Sequence, residues 1–135
     1  MSAASRDRLA GGVASLAVVA SVAAGIYLMR SPSEERTLRL DQRRVADLMA
    51  LSAAVDVYWT RHKSLPGSLN ELRSEPVGAV EWRDPESGAL YEYQPLAERS
   101  YEVCATFDRD SAARGTWAHR AGRQCFPREP RTLER

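Results

Sequence analysis

The sequence predicts an α+β protein in which a transmembrane helix and a long amphipathic helix precede a small antiparallel sheet. Three patterns support this prediction. Residues 9–29 form an uncharged apolar run, residues 31–62 repeat apolar side chains at helical spacing, and the C-terminal half alternates apolar with polar residues. Repeats near 3.6 residues indicate an amphipathic helix, whereas repeats of two indicate a strand. The predicted regions are a tail (1–8), an anchor (9–29), the amphipathic helix (31–62), the sheet head (63–127) and a disordered tail (128–135).

Length and charge exclude several classes of protein. The chain has 135 residues and a formal net charge of +1. This length suits one small domain and an anchor. A nearly neutral chain gives no reason to expect a nucleic-acid partner. No nucleophile, metal or cofactor motif stands out, so we expect a non-enzymatic protein with neither a metal nor a cofactor.

The apolar run at residues 9–29 has the length of a membrane span. As a helix it would extend about 31 Å, close to the thickness of a hydrocarbon core. A cleaved signal peptide is the alternative, with cleavage after Ala23 or Ala24. The run continues past these positions to Met29. We therefore predict that the anchor is retained.

The second helix is predicted from a start signal and an apolar stripe. Ser31, Pro32 and Glu34 fit a capping box with proline at the first helical position. The predicted stripe comprises Leu38, Val45, Leu48, Ser52, Val55, Tyr58 or Trp59, and His62. The predicted polar face comprises Arg39, Arg43, Asp47 and Arg61. We expect His62 to cap the helix or to lie on the surface, with a ligand role as the alternative.

Turn signals and alternation predict the rest of the head. Ser68 and Glu71 fit a second capping box, and Gly88 in "DPESG" fits a turn that needs a positive φ. Residues 90–95 and 101–107 then alternate as two strands joined by residues 96–99. Residues 77–82 fit a short strand or an extended loop. A third strand is expected near residues 116–120 or 123–126.

Cys104 and Cys125 are the only cysteines. Their spacing suits a loop-closing disulfide, which an entropy model values at about 3 kcal/mol. The cysteine pair has two alternative interpretations. One is a zinc site with His62 and His119, and the other is a pair of free thiols in a reducing compartment.

The order of motifs resembles the pilin-like fold of type II secretion pseudopilins, especially the major pseudopilin. A helix ending near Tyr58 is followed by Leu65-Pro66, by Leu69 and Leu72, and by the "DPESGALYEY" stretch of residues 84–93. The chain is still more similar to small membrane-anchored bacterial proteins. In that group "DPESG-x-x-YEY", "YE-x-CATF" and "W-x-H-x-x-G-x-x-CF" recur in this order. The resemblance covers about residues 5–127.

The N-terminal segment departs from the pseudopilin pattern. If Gly12 is taken as the cleavage glycine, Ala17 stands where those proteins carry a glutamate. That glutamate neutralises the mature amino terminus when subunits stack. The departure favours an unprocessed N-terminus.

The resemblance implies a structural or interaction subunit of a bacterial envelope assembly. It would be a single-pass protein of the inner membrane whose head is extracytoplasmic and whose partners are other membrane or envelope proteins. The alternative is a membrane-tethered module that binds a ligand or peptide. The surface expected for such binding comprises Trp82, Tyr91, Trp117 and His119.

Two observations predict opposite topologies. Five arginines follow the apolar run closely and two precede it, so the positive-inside rule places the head in the cytoplasm. The cysteine pair and the resemblance favour a head outside the cytoplasm. We give these more weight than the arginine count.

Overall fold

The structure, a computed structural model, describes residues 3–28, 31–112 and 114–133. Along the chain the elements are α1 (Ala3–Leu28), α2 (Pro32–His62), α3 (Leu69–Arg73), β1 (Glu92–Ala97), β2 (Ser100–Phe107) and β3 (Gly122–Arg128). The chain divides into two compact units, Met1–Glu35 and Arg36–Arg135. The predicted α+β class is confirmed, and we call the second unit the head.

The first helix, α1, carries no charged residue from Leu9 to Leu28. Between residues 11 and 28 every side chain is exposed. By length and composition α1 is able to cross a membrane, although a signal sequence would pass the same test. A helix that is hydrophobic all round needs an apolar environment. Residues 29 and 30, between α1 and α2, lie outside the described residues.

The second helix begins at Pro32, as predicted, and carries Glu34 and Glu35 in its first turn. The Ser31 hydroxyl, at the predicted cap position, lies 2.8 Å from the Ser33 hydroxyl. At the other end, Lys63 has a φ of 57°. A left-handed residue after the last turn is a common helix stop. His62 is therefore the last helical residue and is exposed.

The core of the head lies between α2 and the sheet. The predicted stripe is confirmed at its centre, where Leu48 and Val55 are fully buried, and Leu51 joins them. The prediction for Asp47 is wrong. Asp47 is buried instead of lying on the polar face.

The sheet has the order β1-β2-β3, and both pairs are antiparallel. Val103 in the central strand stands between Tyr93 and Phe126 in the register. Val103 and Phe126 are buried in the core, and the half-buried Tyr93 packs against it. The sheet therefore presents an apolar face to α2.

Several strand boundaries differ from the prediction. β1 begins at Glu92 instead of residue 90, and the hairpin turn contains only residues 98 and 99. The third strand forms at the second of the two expected positions, so residues 116–120 are not a strand. Residues 77–82 form no strand, although Arg83 makes an isolated bridge with Leu90.

The short helix and the C-terminal segment complete the head. Ser68 caps α3 and accepts a hydrogen bond from the Glu71 backbone N–H at 3.3 Å, as predicted. The backbone N–H of Arg131 donates to Asp56 at 2.8 Å, and that of Leu133 donates to Thr60 at 3.1 Å. Within the region expected to be a disordered tail, residue 128 ends β3 and residues 131 and 133 bind α2.

Candidate functional site

The buried guanidinium of Arg44 binds four carboxylates. Its Nε donates to Asp84 at 2.5 Å, and its Nη2 donates to Glu86 at 2.9 Å. Its Nη1 donates to Asp41 at 2.8 Å and to Asp108 at 2.5 Å. Arg44 is only 4% exposed. The planar guanidinium, with five donors, can serve several carboxylates at once.

The "DPESG" turn presents one of these carboxylates. Asp84 Oδ1 accepts the backbone N–H of Glu86 at 2.9 Å and that of Ser87 at 2.8 Å. Gly88 supplies the predicted positive φ, at 70°. Burial alone would raise the pKa of Asp84, but the hydrogen bonds from Arg44 and from the two backbone groups lower it to about 2. The turn thus holds an ionised carboxylate against Arg44.

Asp41 connects the same cluster to the end of β2. Its carboxylate accepts the backbone N–H of Asp108 at 3.0 Å and that of Arg109 at 2.9 Å. Burial would lower the pKa of Arg44, but its carboxylate partners raise it, so the side chain stays cationic. The cluster therefore ties α2, the "DPESG" turn and the end of β2 together.

A second buried polar pair lies on the same side of α2. The Tyr91 hydroxyl donates to Asp47 Oδ2 at 2.7 Å. Burial, followed by the hydrogen bond to Asp47, raises the pKa of Tyr91. Burial also raises the pKa of Asp47, although the bond from Tyr91 opposes the shift. Tyr91 is 4% exposed, so its ring belongs to the core and offers little surface to a ligand.

Trp117 and His119 lie in a loop against the sheet. The His119 ring stacks on Phe107 with centroids 3.8 Å apart, and Arg128 lies over the Trp117 ring at 3.8 Å. Both residues line a groove of about 500 Å³, together with Leu38, Val45 and Ala118. These two members of the expected binding surface therefore share one groove.

The other two members lie elsewhere. Trp82 is half-buried against the core, and its carbonyl accepts the backbone N–H of Tyr91 at 3.0 Å. Tyr91 lines a separate depression of about 330 Å³ beside β1. Neither Trp82 nor Tyr91 lines the groove of Trp117 and His119. The four residues therefore do not form a single pocket in the described part of the chain.

Cys104 and Cys125 form a disulfide, as predicted. They stand directly opposite each other in β2 and β3. Their sulfur atoms lie near the Glu102 carboxylate. Because the sulfurs are bonded to each other, they offer no thiolate for zinc, and the free-thiol alternative is also excluded in this state. His62 instead lies 2.9 Å from Glu75 and stacks on Tyr58.

The sequence patterns did not identify Arg44 as a buried residue. A usable signal was nonetheless present. Arg44 precedes Leu48 by four positions and Leu51 by seven, which places it on the apolar stripe. A charged residue at such a position requires a partner, and that requirement predicts a carboxylate from another element.

Comparison with known proteins gave no match. No protein-family model matches the chain, and neither a curated protein nor a solved structure matches it significantly. The fold and the site define an α+β head with a disulfide that follows an apolar helix.

Proposed function

We propose that the protein is a non-enzymatic, membrane-anchored, pilin-like subunit of a bacterial envelope assembly, with a structural or interaction role. The observation that carries this proposal is the contrast between two successive helices. None of the described side chains of α1 is buried, whereas α2 buries a continuous stripe in the head. Such a chain needs an apolar medium for α1 and an aqueous one for the head.

The architecture of the head supports a structural role. A long helix packs on a three-stranded antiparallel sheet. The order of sequence motifs in residues 58–126 resembles the pilin-like pattern. The charged groups of the Arg44 cluster bind each other, which suits a rigid scaffold more than chemistry on a substrate. Rigid heads of this kind can present fixed surfaces to neighbouring subunits.

The disulfide supports a head outside the cytoplasm. Disulfides persist in oxidising compartments and are rare where glutathione and thioredoxin keep thiols reduced. The Cys104–Cys125 bond connects adjacent strands of a small domain. Small domains bury a smaller fraction of their surface and gain more from a covalent link. We therefore place α1 in the inner membrane and the head on its extracytoplasmic side.

Photo-crosslinking in native membranes tests the proposed role. A photoreactive amino acid at the exposed Gln94, at the exposed Glu98 or in α1 at Val18 should yield adducts with other membrane or envelope proteins. The same label at the buried Val55 is the matched control and should yield none. Mass spectrometry of the adducts identifies the partners. Absence of protein adducts at every exposed position would contradict the proposal.

The groove of Trp117 and His119 favours the second candidate, a tethered ligand- or peptide-binding module. Its volume of about 500 Å³ is within the range of ligand sites. Thermal-shift screening of the full-length protein against small molecules and peptides would test it. A stabilising ligand whose effect is lost in Trp117→Leu, but kept in Trp82→Leu, would favour the binding module over the structural subunit.

A further inference from the structure

The exposed charges of α2 have a single sign over residues 36–60. Seven charged residues occur in this range, namely Arg36, Arg39, Asp41, Arg43, Arg44, Asp47 and Asp56. All three aspartates are buried, at 4%, 9% and 3% exposure, and so is Arg44. The exposed charged residues are therefore Arg36, Arg39 and Arg43 alone. We call these three residues the arginine face.

The burial of the aspartates is the decisive feature. In the sequence, acidic residues alternate with the arginines and suggest a neutral surface. In the structure, Asp41 binds Arg44 and Asp47 accepts from Tyr91, so both carboxylates are committed to the interior of the head. Glu34 and Glu35, in the first turn of α2, precede the arginine face along the helix.

The three arginines form one stripe on the helix. They are spaced three and four residues apart, which places them on one side of an α-helix. The stripe extends about 10 Å along the helix axis. Guanidinium groups bind phosphate oxygens in a bidentate manner, so a row of this length suits a surface with many phosphates.

The arginine face follows α1 closely in the sequence. Arg36 follows Leu28, the last residue of α1, by eight positions (36 − 28). A chain of that length reaches at most about 28 Å, whatever its path. A short tether raises the effective concentration of one site near another. Anionic membrane surfaces attract basic segments that lie next to a membrane helix.

We propose that the arginine face binds the anionic phospholipid headgroups of the membrane that holds α1. This inference rests on the proposed anchoring of α1 and adds to it a lipid contact of the head. It also gives the arginines after the anchor a role that does not depend on the positive-inside rule. Arg44 takes no part, because its guanidinium is directed into the core.

The test uses the full-length protein in nanodiscs, with a nitroxide label at Ala46→Cys. Ala46 is exposed and lies three residues after Arg43. The measured quantity is the collision rate of the label with a water-soluble nickel complex. In discs of phosphatidylcholine with phosphatidylglycerol, we expect this rate to fall about threefold relative to phosphatidylcholine alone, and to recover in high salt because the contact is electrostatic.

Two triple variants with equal charge change complete the test. Arg36→Gln, Arg39→Gln and Arg43→Gln together should abolish the lipid-dependent fall. Arg73→Gln, Arg114→Gln and Arg120→Gln, at exposed positions elsewhere on the head, should keep it. Equal collision rates in both lipids for the parent protein would overturn the proposal, as would a fall that persists in the first variant. Crosslinking of the arginine face to an acidic protein, with the label still exposed on anionic discs, would also overturn it.

Failure of the anchor is distinguishable from failure of the arginine face. Flotation with phosphatidylcholine vesicles in high salt tests the membrane insertion of α1 alone. These headgroups carry no net charge and the salt screens the arginines, so the arginine face does not contribute to binding. A protein that floats under these conditions but shows no lipid-dependent protection of the label retains its anchor and refutes the lipid contact. A protein that binds only anionic vesicles, and only in low salt, refutes the anchor and supports the contact.

Discussion

Arg44 of α2 and Asp84 of the "DPESG" turn form an ion pair inside the head. Arg44 Nε lies 2.5 Å from Asp84 Oδ2, and the two side chains are only 5% and 10% exposed. Forty positions separate them in the chain. The pair therefore fixes the turn against the helix and explains why the head needs both an arginine on an apolar stripe and a carboxylate in a tight turn.

Replacing Arg44 by methionine should destabilise the head strongly. The variant leaves Asp41 and Asp84 without their cation, and removing one partner from a buried ion pair costs about 3–5 kcal/mol. Chemical unfolding of the full-length protein in detergent, followed by circular dichroism, measures the loss. Arg43→Met, at the exposed neighbouring position, is the matched control and should cost about 0.5 kcal/mol or less. Equal unfolding midpoints for the two variants would contradict the buried cluster.

Acid should weaken the head through Asp84. The pKa of this group is lowered to about 2 in the folded protein from an ordinary 3.8. A carboxyl with a lowered folded pKa contributes stability above its unfolded pKa and loses it as the pH falls towards the folded value. That contribution is about 2 kcal/mol and should disappear between about pH 5 and pH 2.

The variant Asp84→Asn isolates this effect. It should be less stable than the parent at pH 7, and the difference should shrink as the pH falls to 2. Glu81→Gln, at an exposed position, should follow the parent across the whole range. Unfolding free energies at several pH values provide the measurement. A constant difference between Asp84→Asn and the parent would show that Asp84 does not titrate as stated.

Tyr91→Phe should cost about 2 kcal/mol at pH 7, because it leaves the buried Asp47 carboxylate without its donor. The hydrogen bond from Tyr91 lowers the pKa of Asp47, so its removal raises that pKa further. A protonated Asp47 carries no charge, so losing the hydrogen bond from Tyr91 destabilises it less. The loss of folding stability in Tyr91→Phe should therefore be smaller at pH 4. A double-mutant cycle with Asp47→Asn measures the coupling. An additive cycle at pH 7 would mean that the two side chains act independently.

The disulfide should be present in cells. We expect Cys104 and Cys125 to resist thiol labelling until a reductant is added, and a phosphatase fused after the head to be active. The double variant Cys104→Ser, Cys125→Ser should lose about 3 kcal/mol of stability through loop entropy in the unfolded chain. Labelling without reductant, together with an inactive fusion, would place the head in the cytoplasm.

The anchor should be retained in the native protein. Mass spectrometry of the membrane fraction should detect the peptide of residues 9–30, which includes most of α1. The physical reason is that the apolar run extends past the candidate cleavage sites to Met29. Peptides from residues 36–135 provide the internal reference. A mature N-terminus at residue 24 or 25 would instead identify a cleaved signal peptide.

Local chemistry made much of the fold predictable. The cap at Ser68, the positive φ of Gly88 and the helix start at Pro32 depend on a few neighbouring residues, so short patterns were sufficient. The apolar period of α2 and the alternation in β2 depend only on helix and strand geometry. With only two cysteines in the chain, the disulfide had one pairing available.

Boundaries depended on contacts from distant residues. β1 begins after Tyr91 because the Tyr91 backbone donates to Trp82 and its hydroxyl donates to Asp47. In the C-terminal segment, Asp56 and Thr60 accept the backbone N–H groups of Arg131 and Leu133. No local pattern in either segment indicates these partners. The alternation from residue 90 therefore led to a wrong start for β1, which begins at Glu92.

The sequence by itself determined the two helices, the sheet that follows them and the cysteine bond, because each depends on periodicity or on a forced pairing. Only the tertiary structure decided which charges lie inside. Asp41, Asp47 and Arg44 are buried because their partners come from residues 84–91 and 108–109, far along the chain. The hydrogen bonds from these partners offset the cost of removing each charge from water. The same burial leaves arginines as the only exposed charged residues of α2 between residues 36 and 60.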